Sequence, residues 1–388
     1  MKKIYLDNAA TTQVDKKVVD VMLPYFTEKY GNASSQHFTG QEAKRALEES
    51  RHIIAKSINA RDDEIIFTGS GTESNNMTLK GLFFANKDAK TGKNHIITTK
   101  IEHDCVLNAC KWLSTQGAEI TYLSVNSEGF IDIEELKNSI KKNTLVVSII
   151  HGNNEIGTIQ DLETIGKICK EKNVYFHTDA CQSYTKTKLD VNKQNLDFVT
   201  LNAHKIHGPK GVGALFIRKG INITPLLHGG GHEKGIRSST ENIPGIVGFA
   251  KAVSLSGGIF NSDVKKMITL RDYLISELLK IPSTKLNGAT GNKRLANNIN
   301  VCFNNIEGEA IGGYLDAYGI SSSTGSACSS HKLEQSHVLK AIGLSDLQAN
   351  SSLRLSISRF TTKEDIDFAL KILNETIIKL RKMSPVKL

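Results

Sequence analysis

Between residues 64 and 220, short apolar runs alternate with amphipathic stretches, and this alternation restricts the possible folds more than any other feature of the chain. Strand-length runs fall at 64–67, 94–98, 119–123, 145–150, 174–177, 198–201 and 213–217. Helical periodicity fills the intervals at 73–85, 103–114, 133–141 and 163–172. Strands that alternate with helices imply an α/β layer around a mostly parallel sheet.

The flanks differ from this block. Two helices precede it: 15–29, with Val18, Val19, Met22, Leu23 and Phe26 on one face, and 41–58, with Ala43, Leu47, Ile54 and Ile58. After about Ser256 the order becomes helix 263–280, strand 297–303, helix 309–318, a loop, strand 353–358 and a long last helix. Thr361 and Glu364 have the spacing of a capping box for that helix. We therefore expect a large domain over 15–256 and a smaller α+β domain formed by 1–14 with 257–388.

Composition narrows the function classes. The 388 residues suffice for two domains and a sizeable core. No apolar run reaches the ~18 residues of a membrane helix. The start, Met1-Lys2-Lys3-Ile4-Tyr5-Leu6-Asp7, has no long apolar stretch behind its lysines, so a cytoplasmic protein is expected. The +9 net charge is scattered apart from a modest knot over 379–387, which argues against nucleic-acid binding. The cysteines at 105, 110, 169, 181, 302 and 328 form no C-x-x-C pair, so reduced thiols are expected rather than disulfides or a zinc knuckle. Cys328 stands apart in the loop-like Ser-Thr-Gly-Ser-Ala-Cys-Ser-Ser-His-Lys.

Several residue groups carry chemistry. Asp179 ends one apolar run, and Lys205 follows the next within Asn202-Ala203-His204-Lys205. A lysine that holds an aldehyde as a Schiff base and an acid that keeps a pyridine nitrogen protonated are what pyridoxal phosphate (PLP) enzymes require. Thr68-Gly69-Ser70-Gly71-Thr72-Glu73-Ser74 joins a strand to a helix, a place where free N–H groups bind phosphate; an ordinary glycine turn is the alternative. His103 could stack on a flat ring or move protons, or simply start a helix. Asn153-Asn154-Glu155-Ile156-Gly157 offers ligand-binding amides or a turn. His228 and His232 flank three glycines, which suits a loop better than a metal pair. Arg354 puts a guanidinium on an apolar strand, where either a substrate carboxylate or an ion pair would satisfy it.

Taken in order, these segments resemble the cysteine desulfurases of the nitrogen-fixation and housekeeping iron–sulfur type, within the class V aminotransferase-fold enzymes. The resemblance is carried by Leu6-Asp7-Asn8-Ala9-Ala10-Thr11-Thr12, Gly31-Asn32-Ala33-Ser34-Ser35, Gly71-Thr72-Glu73-Ser74-Asn75, Glu102-His103, Asn153-Asn154-Glu155-Ile156-Gly157, His177-Thr178-Asp179-Ala180-Cys181-Gln182, Ala203-His204-Lys205, Gly208-Pro209-Lys210-Gly211, Arg237-Ser238-Ser239-Thr240, Gly325-Ser326-Ala327-Cys328 and Arg354. It spans nearly the whole chain.

The resemblance implies a PLP-dependent transferase fold of type I. It also implies that Lys205 binds the cofactor and moves the α-proton of L-cysteine. Asp179 would pair with the ring nitrogen, Gln182 with the ring hydroxyl, and His103 would stack on the ring beside Asn154 and act in acid–base steps. Gly71, Thr72, Asn202 and His204 would hold the phosphate, with Thr240 reaching in from a second subunit. Asn32 and Arg354 would take the substrate carboxylate. Cys328, on a loop at about 321–337, would take the sulfur as a persulfide, release alanine and pass the sulfur to an iron–sulfur scaffold or another acceptor. No resident metal is implied, although Cys328 could transiently ligate an iron–sulfur cluster. Ala33 stands where proline is common, Asn202 where serine or threonine is usual, and Gln335 where proline is frequent. A selenocysteine lyase on the same scaffold, or a cofactor-free scaffold or nucleic-acid binder, are the competing readings. Turnover of L-selenocysteine and the absence of bound-cofactor absorbance, respectively, would distinguish them.

Overall fold

The computed structural model describes residues 3–257, 262–324 and 335–383. Its strands are β1 (Ile4–Tyr5), β2 (Ile65–Thr68), β3 (His95–Thr99), β4 (Glu119–Leu123), β5 (Thr144–Ser148), β6 (Tyr175–Asp179), β7 (Phe198–Asn202), β8 (Gly213–Ile217), β9 (Thr284–Leu286), β10 (Asn298–Phe303), β11 (Ile320–Ser321) and β12 (Ser352–Ser356). Seven of them, β2 to β8, form one sheet in the order β2-β8-β7-β6-β5-β3-β4. These are the seven runs expected from the alternation, with their ends moved by a residue or a few.

Direction follows from the pairings. β3–β4, β3–β5, β5–β6 and β6–β7 are parallel, whereas β8 is antiparallel to both β7 and β2. Only β8 therefore runs against the others, and the carboxyl ends of β2, β3, β5, β6 and β7 share one edge. In parallel α/β sheets that edge is where ligands bind.

Both faces of the sheet are covered, which explains the continuous apolar runs. Neighbouring residues divide between two apolar clusters: Ile65, Phe67, Val199 and Phe216 face one, and Ile66, Phe198, Leu215 and Ile217 the other. The first cluster includes the helix Phe38–Ser57 through Ala43, Leu47 and Ile54, together with the helix Ile243–Ser256. The second includes Val106, Ala109 and Leu113 of the helix Asp104–Thr115.

A separate apolar cluster surrounds a three-stranded antiparallel sheet, β12-β10-β9. It draws on the helices Ser262–Leu278, Gly308–Ala317 and Lys363–Met383, and it includes Ile4 and Leu6 from the start of the chain. The N-terminal segment reaches it by pairing β1 with β11 in parallel and by a bridge from Asp7 to Ser356.

Three local expectations need correction. The capping pair of the last helix is Thr362 with Asp365, not Thr361 with Glu364: Thr362 N–H donates to Asp365 Oδ2 (3.0 Å), and Asp365 N–H to Thr362 Oγ1 (3.2 Å). Thr361 Oγ1 is already taken by the Ser358 N–H. The helix expected over 73–85 begins at Gly71 and passes through a π turn at Met77–Gly81, where the Gly81 carbonyl also accepts from Thr224 N–H. The helix expected over 15–29 is two pieces, Lys16–Met22 and Pro24–Thr27, because Pro24 has no N–H to continue the ladder.

Candidate active site

A cavity of about 250 Å³ lies at the shared carboxyl edge of the large sheet. After β2 the chain turns into the helix Gly71–Asn76, which contributes Ser70, Gly71, Thr72 and Asn75 to the lining. After β3 comes His103, after β5 come Ile150 and Asn154, β6 ends in Asp179, and after β7 come His204 and Lys205. A larger groove of about 810 Å³ passes Tyr5, Thr12, Lys210 and Phe360, but it gathers neither Asp179 nor Lys205. Chemistry therefore points to the smaller cavity.

β6 and β7 are adjacent and parallel, with Asp179 opposite Thr200. That register brings the carboxylate and the amine off the same edge. Asp179 is 5% exposed. Its Oδ2 accepts from Asn75 Nδ2 at 2.7 Å, and its Oδ1 from Cys181 N–H at 2.9 Å. The Lys205 amine donates to the carbonyls of Ala9 and Ala10, the latter at 2.7 Å. Gln182 Nε2 donates to the same Ala9 carbonyl at 2.8 Å. The N-terminal segment thus forms part of the cavity wall, laced down by Thr12 Oγ1 donating to the His204 carbonyl (2.8 Å).

The helix start is shaped for close approach. A Cβ built on Gly71 would lie 2.6 Å from Cys181 Sγ, so a side chain there would have to displace that thiol. Asn202 Nδ2 lies 3.5 Å from that same point, while its buried Oδ1 has no partner among the described residues. An amide donor beside free N–H groups at a helix N-terminus suits a phosphate. Glu73 fixes this turn: its carboxylate accepts from Gly69 N–H (2.8 Å) and from Arg237 Nε (2.7 Å).

His103 is the N-cap of the helix Asp104–Thr115 and also lines the cavity, so both readings of it hold. Its Nδ1 accepts from Cys105 N–H at 3.2 Å, which leaves the proton of the neutral ring on Nε2. Burial and three lysines (205, 210 and 186) pull His204 down to a pKa of about 4, so this ring is neutral at pH 7. Burial, then the Lys205 charge, likewise lowers Lys186 to about 7 against a smaller opposing effect of Cys181, and its Nζ donates to the carbonyls of Gln182 (2.9 Å) and Lys205 (3.1 Å).

Arg354 closes the opposite side, 2% exposed. One of its terminal nitrogens donates to Asp7 Oδ1 (2.9 Å) and the other to the Asn154 carbonyl (3.2 Å). Its Nε has no partner among the described residues. The ion pair and a spare donor therefore coexist.

Of the residues singled out from the sequence, ten meet in this cavity: Gly71, Thr72, His103, Asn154, Asp179, Gln182, Asn202, His204, Lys205 and Arg354. Asn32 and Thr240 are exposed and do not line it. Cys328 lies outside the described residues. Asn75, Cys105 and Cys181 line the cavity but were not among the sequence candidates. Only the apolar context of Cys181 beside Asp179, and the one-turn spacing of Asn75 from Gly71, pointed to them.

Among the described residues, no helix is long and apolar enough to cross a membrane. The aminotransferase class V family model matches residues 4–368. A cysteine desulfurase IscS of Methanosarcina thermophila is 50% identical over 385 residues, covering 99% of this chain and 94% of its own. Among solved structures, a NifS-like protein superposes with a TM-score of 0.91 at 38% identity, covering 98% of this chain and 100% of its own. A structure described as SspA in complex with cysteine has a TM-score of 0.82 at 36% identity, covering 93% and 100%. The chain belongs to the cysteine desulfurases, within the class V aminotransferase family.

Proposed function

We propose that the protein takes sulfur from L-cysteine, leaves L-alanine, and carries the sulfur as a persulfide on Cys328. The observation that supports this most is the meeting of Asp179 and Lys205 at one strand edge, between a phosphate-type helix start and a buried arginine. Membership of class V aminotransferases implies PLP, and the residues present suit it. Gly71 leaves room at the helix start, and the Asn202 Nδ2 donor lies 3.5 Å from the point where a Gly71 Cβ would stand.

Gly71, Thr72, Asn202 and His204 would hold the phosphate, Gln182 the ring hydroxyl, and His103 and Asn154 would flank the ring. Once bound, PLP supplies an electron sink for the charge left when the substrate loses its α-proton. Lys205 would hold the cofactor's aldehyde carbon, release it to the substrate amine, and then move the α-proton. The Asp179 carboxylate would keep a proton on the ring nitrogen. Arg354 would orient the substrate carboxylate through its unpartnered Nε. The Cys328 thiolate would then attack the substrate sulfur: a sulfur–sulfur bond forms, the carbon–sulfur bond breaks, and its electron pair leaves with the alanine skeleton.

The same reading assigns Asn32 to the substrate carboxylate and Thr240 to the phosphate of a second copy. It makes the protein a cytoplasmic homodimer that hands sulfur to an iron–sulfur scaffold or another acceptor. It divides the chain into a large domain at 15–256 and a small one from 1–14 and 257–388. The test is release of alanine and sulfide from L-cysteine with a reductant. Wild type should release both, and Cys328→Ala should release neither at a comparable rate. Full activity in Cys328→Ala would sink the mechanism.

A further inference from the structure

Asn75 lies one helical turn beyond Gly71, completely buried, on the short helix whose start forms the phosphate cradle. Its side-chain amide has two N–H groups, and both are used. One goes to Asp179 Oδ2 at 2.7 Å, and the other to Cys105 Sγ at 3.1 Å. Cys105 Sγ in turn lies 3.1 Å from His103 Nδ1. His103 Nδ1 is an acceptor, so the thiol hydrogen completes the chain Asp179–Asn75–Cys105–His103. Burial and the nearby Asp179 charge raise the Cys105 thiol to about 12, which keeps that hydrogen in place.

The direction of the Asn75 amide carries information. Its oxygen has no partner among the described residues, although it is buried. An amide placed against an ionised carboxylate must present N–H, because its oxygen would be repelled. The cost of an idle buried oxygen is accepted in exchange for a charge-assisted bond to Asp179. Together with the Cys181 N–H, this gives the carboxylate one fixed donor on each oxygen. Donors to a carboxylate stabilise its charged form and make it less basic.

We propose that Asn75 is the positioning residue for Asp179, fixing that carboxylate toward the cofactor's ring nitrogen, with Cys105 as its brace toward His103. This rests on the reading that Asp179 faces the ring nitrogen of bound PLP. It adds that one helix serves both ends of the cofactor, the phosphate from its first residues and the ring nitrogen through its fifth.

The test uses the full-length protein loaded with PLP carrying ¹⁵N in the ring. Asn75→Leu keeps the approximate shape and removes the donor, and Asn75→Ala serves as a second variant should leucine misfold. In both, the ring-nitrogen resonance should move from the protonated toward the unprotonated position. The PLP dissociation constant should rise about tenfold, as for loss of one hydrogen bond to a charged group. Cys105→Ala should give a smaller shift of the same sign, and Cys105→Ser should restore the wild-type position. Asp179→Asn serves as the control. If it moves the resonance while the Asn75 variants keep wild-type resonance and affinity, the proposal for Asn75 is wrong and the functional reading stands. If Asp179→Asn moves nothing, or wild type binds no PLP, the functional reading fails and this proposal fails with it.

Discussion

The wall carrying Asp179 and Lys205 comes from neighbouring strand ends of one sheet, whereas the wall carrying Arg354 is assembled from distant parts of the chain. On the first wall, β6 and β7 fix spacing by register, and the acid is held by Cys181 just beyond β6 and by Asn75 of the helix that follows β2 in the same sheet. On the second, Arg354 of β12 reaches Asp7 across 347 positions and the Asn154 carbonyl across 200. The backbone of the sheet wall is therefore fixed wherever the large core is folded, although the Lys205 amine also reaches the N-terminal segment at Ala9 and Ala10. The arginine wall exists only while two apolar clusters and the N-terminal strand are docked. Changes on the first should alter cofactor chemistry, and changes on the second should alter substrate affinity and stability together.

The largest effect is expected at Lys205. Lys205→Ala should lower kcat by on the order of a thousandfold, since a positioned proton-transfer group contributes that much. Its thermal midpoint should stay near wild type, because the Ala9 carbonyl that the amine reaches is also held by Gln182 Nε2. A large loss of stability would show that the two walls are not separable.

Arg354 should behave in the opposite way. Arg354→Lys keeps a charge but loses the planar fork, so KM for L-cysteine should rise about thirtyfold with a smaller change in kcat. Arg354→Ala strands the largely buried Asp7 carboxylate and should cost about 3 kcal/mol in urea unfolding. An unchanged KM in Arg354→Lys would mean that the ion pair to Asp7 is the whole role of this arginine.

Acid should separate the two parts as well. His151, His177, His204 and His207 all have pKa values lowered to about 4, chiefly by burial. Between pH 6.5 and 4 the unfolded chain binds protons that the folded chain refuses, so stability falls as pH falls through that window. Glu102 opposes this, because burial raises it to about 8; its contribution falls as pH rises from about 4.5 to 8. All four histidines belong to the part of the chain that carries the large sheet. Amide hydrogen exchange at pH 5 should therefore open the large sheet before β10 and β12. The reverse order would break the comparison.

How much of this was legible in the sequence also divides along the two walls. The seven strands of the large sheet were readable because burial on both faces makes each a dense apolar run. β1, β9 and β11 were not, since two or three residues carry no period. The helix Ile243–Ser256 was missed because it is buried nearly all round and shows no polar face. Asp179 and Lys205 stood out through their chemistry. Asn75 did not, because a polar residue five places into a helix reads as solvent-facing until the fold turns it inward. The Asp7–Arg354 pair was invisible for a similar reason: nothing in the spacing of two residues at opposite ends of a chain announces that they touch.

Glu73 sharpens the picture on a smaller scale. Its carboxylate joins the turn before the helix Gly71–Asn76 to Arg237, whose loop continues to Thr240. Glu73→Gln keeps one acceptor and weakens a partly exposed ion pair. PLP affinity should fall about threefold to fivefold, the scale of a partly exposed pair. KM for L-cysteine should not move. A change in KM without a change in PLP affinity would place Glu73 with the arginine wall instead.

The smallest effect is expected behind the sheet wall, at Thr185. Its φ of 62° puts a β-branched residue in the left-handed region, where threonine is strained by about 1–3 kcal/mol. The next residue, Lys186, donates to the carbonyls of Gln182 and Lys205, so the strained turn aims an amine at the backbone of two residues that line the cavity. Thr185→Gly removes the strain and adds about 1 kcal/mol of unfolded-chain entropy. The net should be a stabilisation of about 1 kcal/mol by urea midpoint, with kcat and KM unchanged. If the variant is more stable but binds PLP less tightly, the turn does more than hold shape: its rigidity keeps Lys186 on its two carbonyls, and the rigid wall depends on a strained residue rather than on strand register alone.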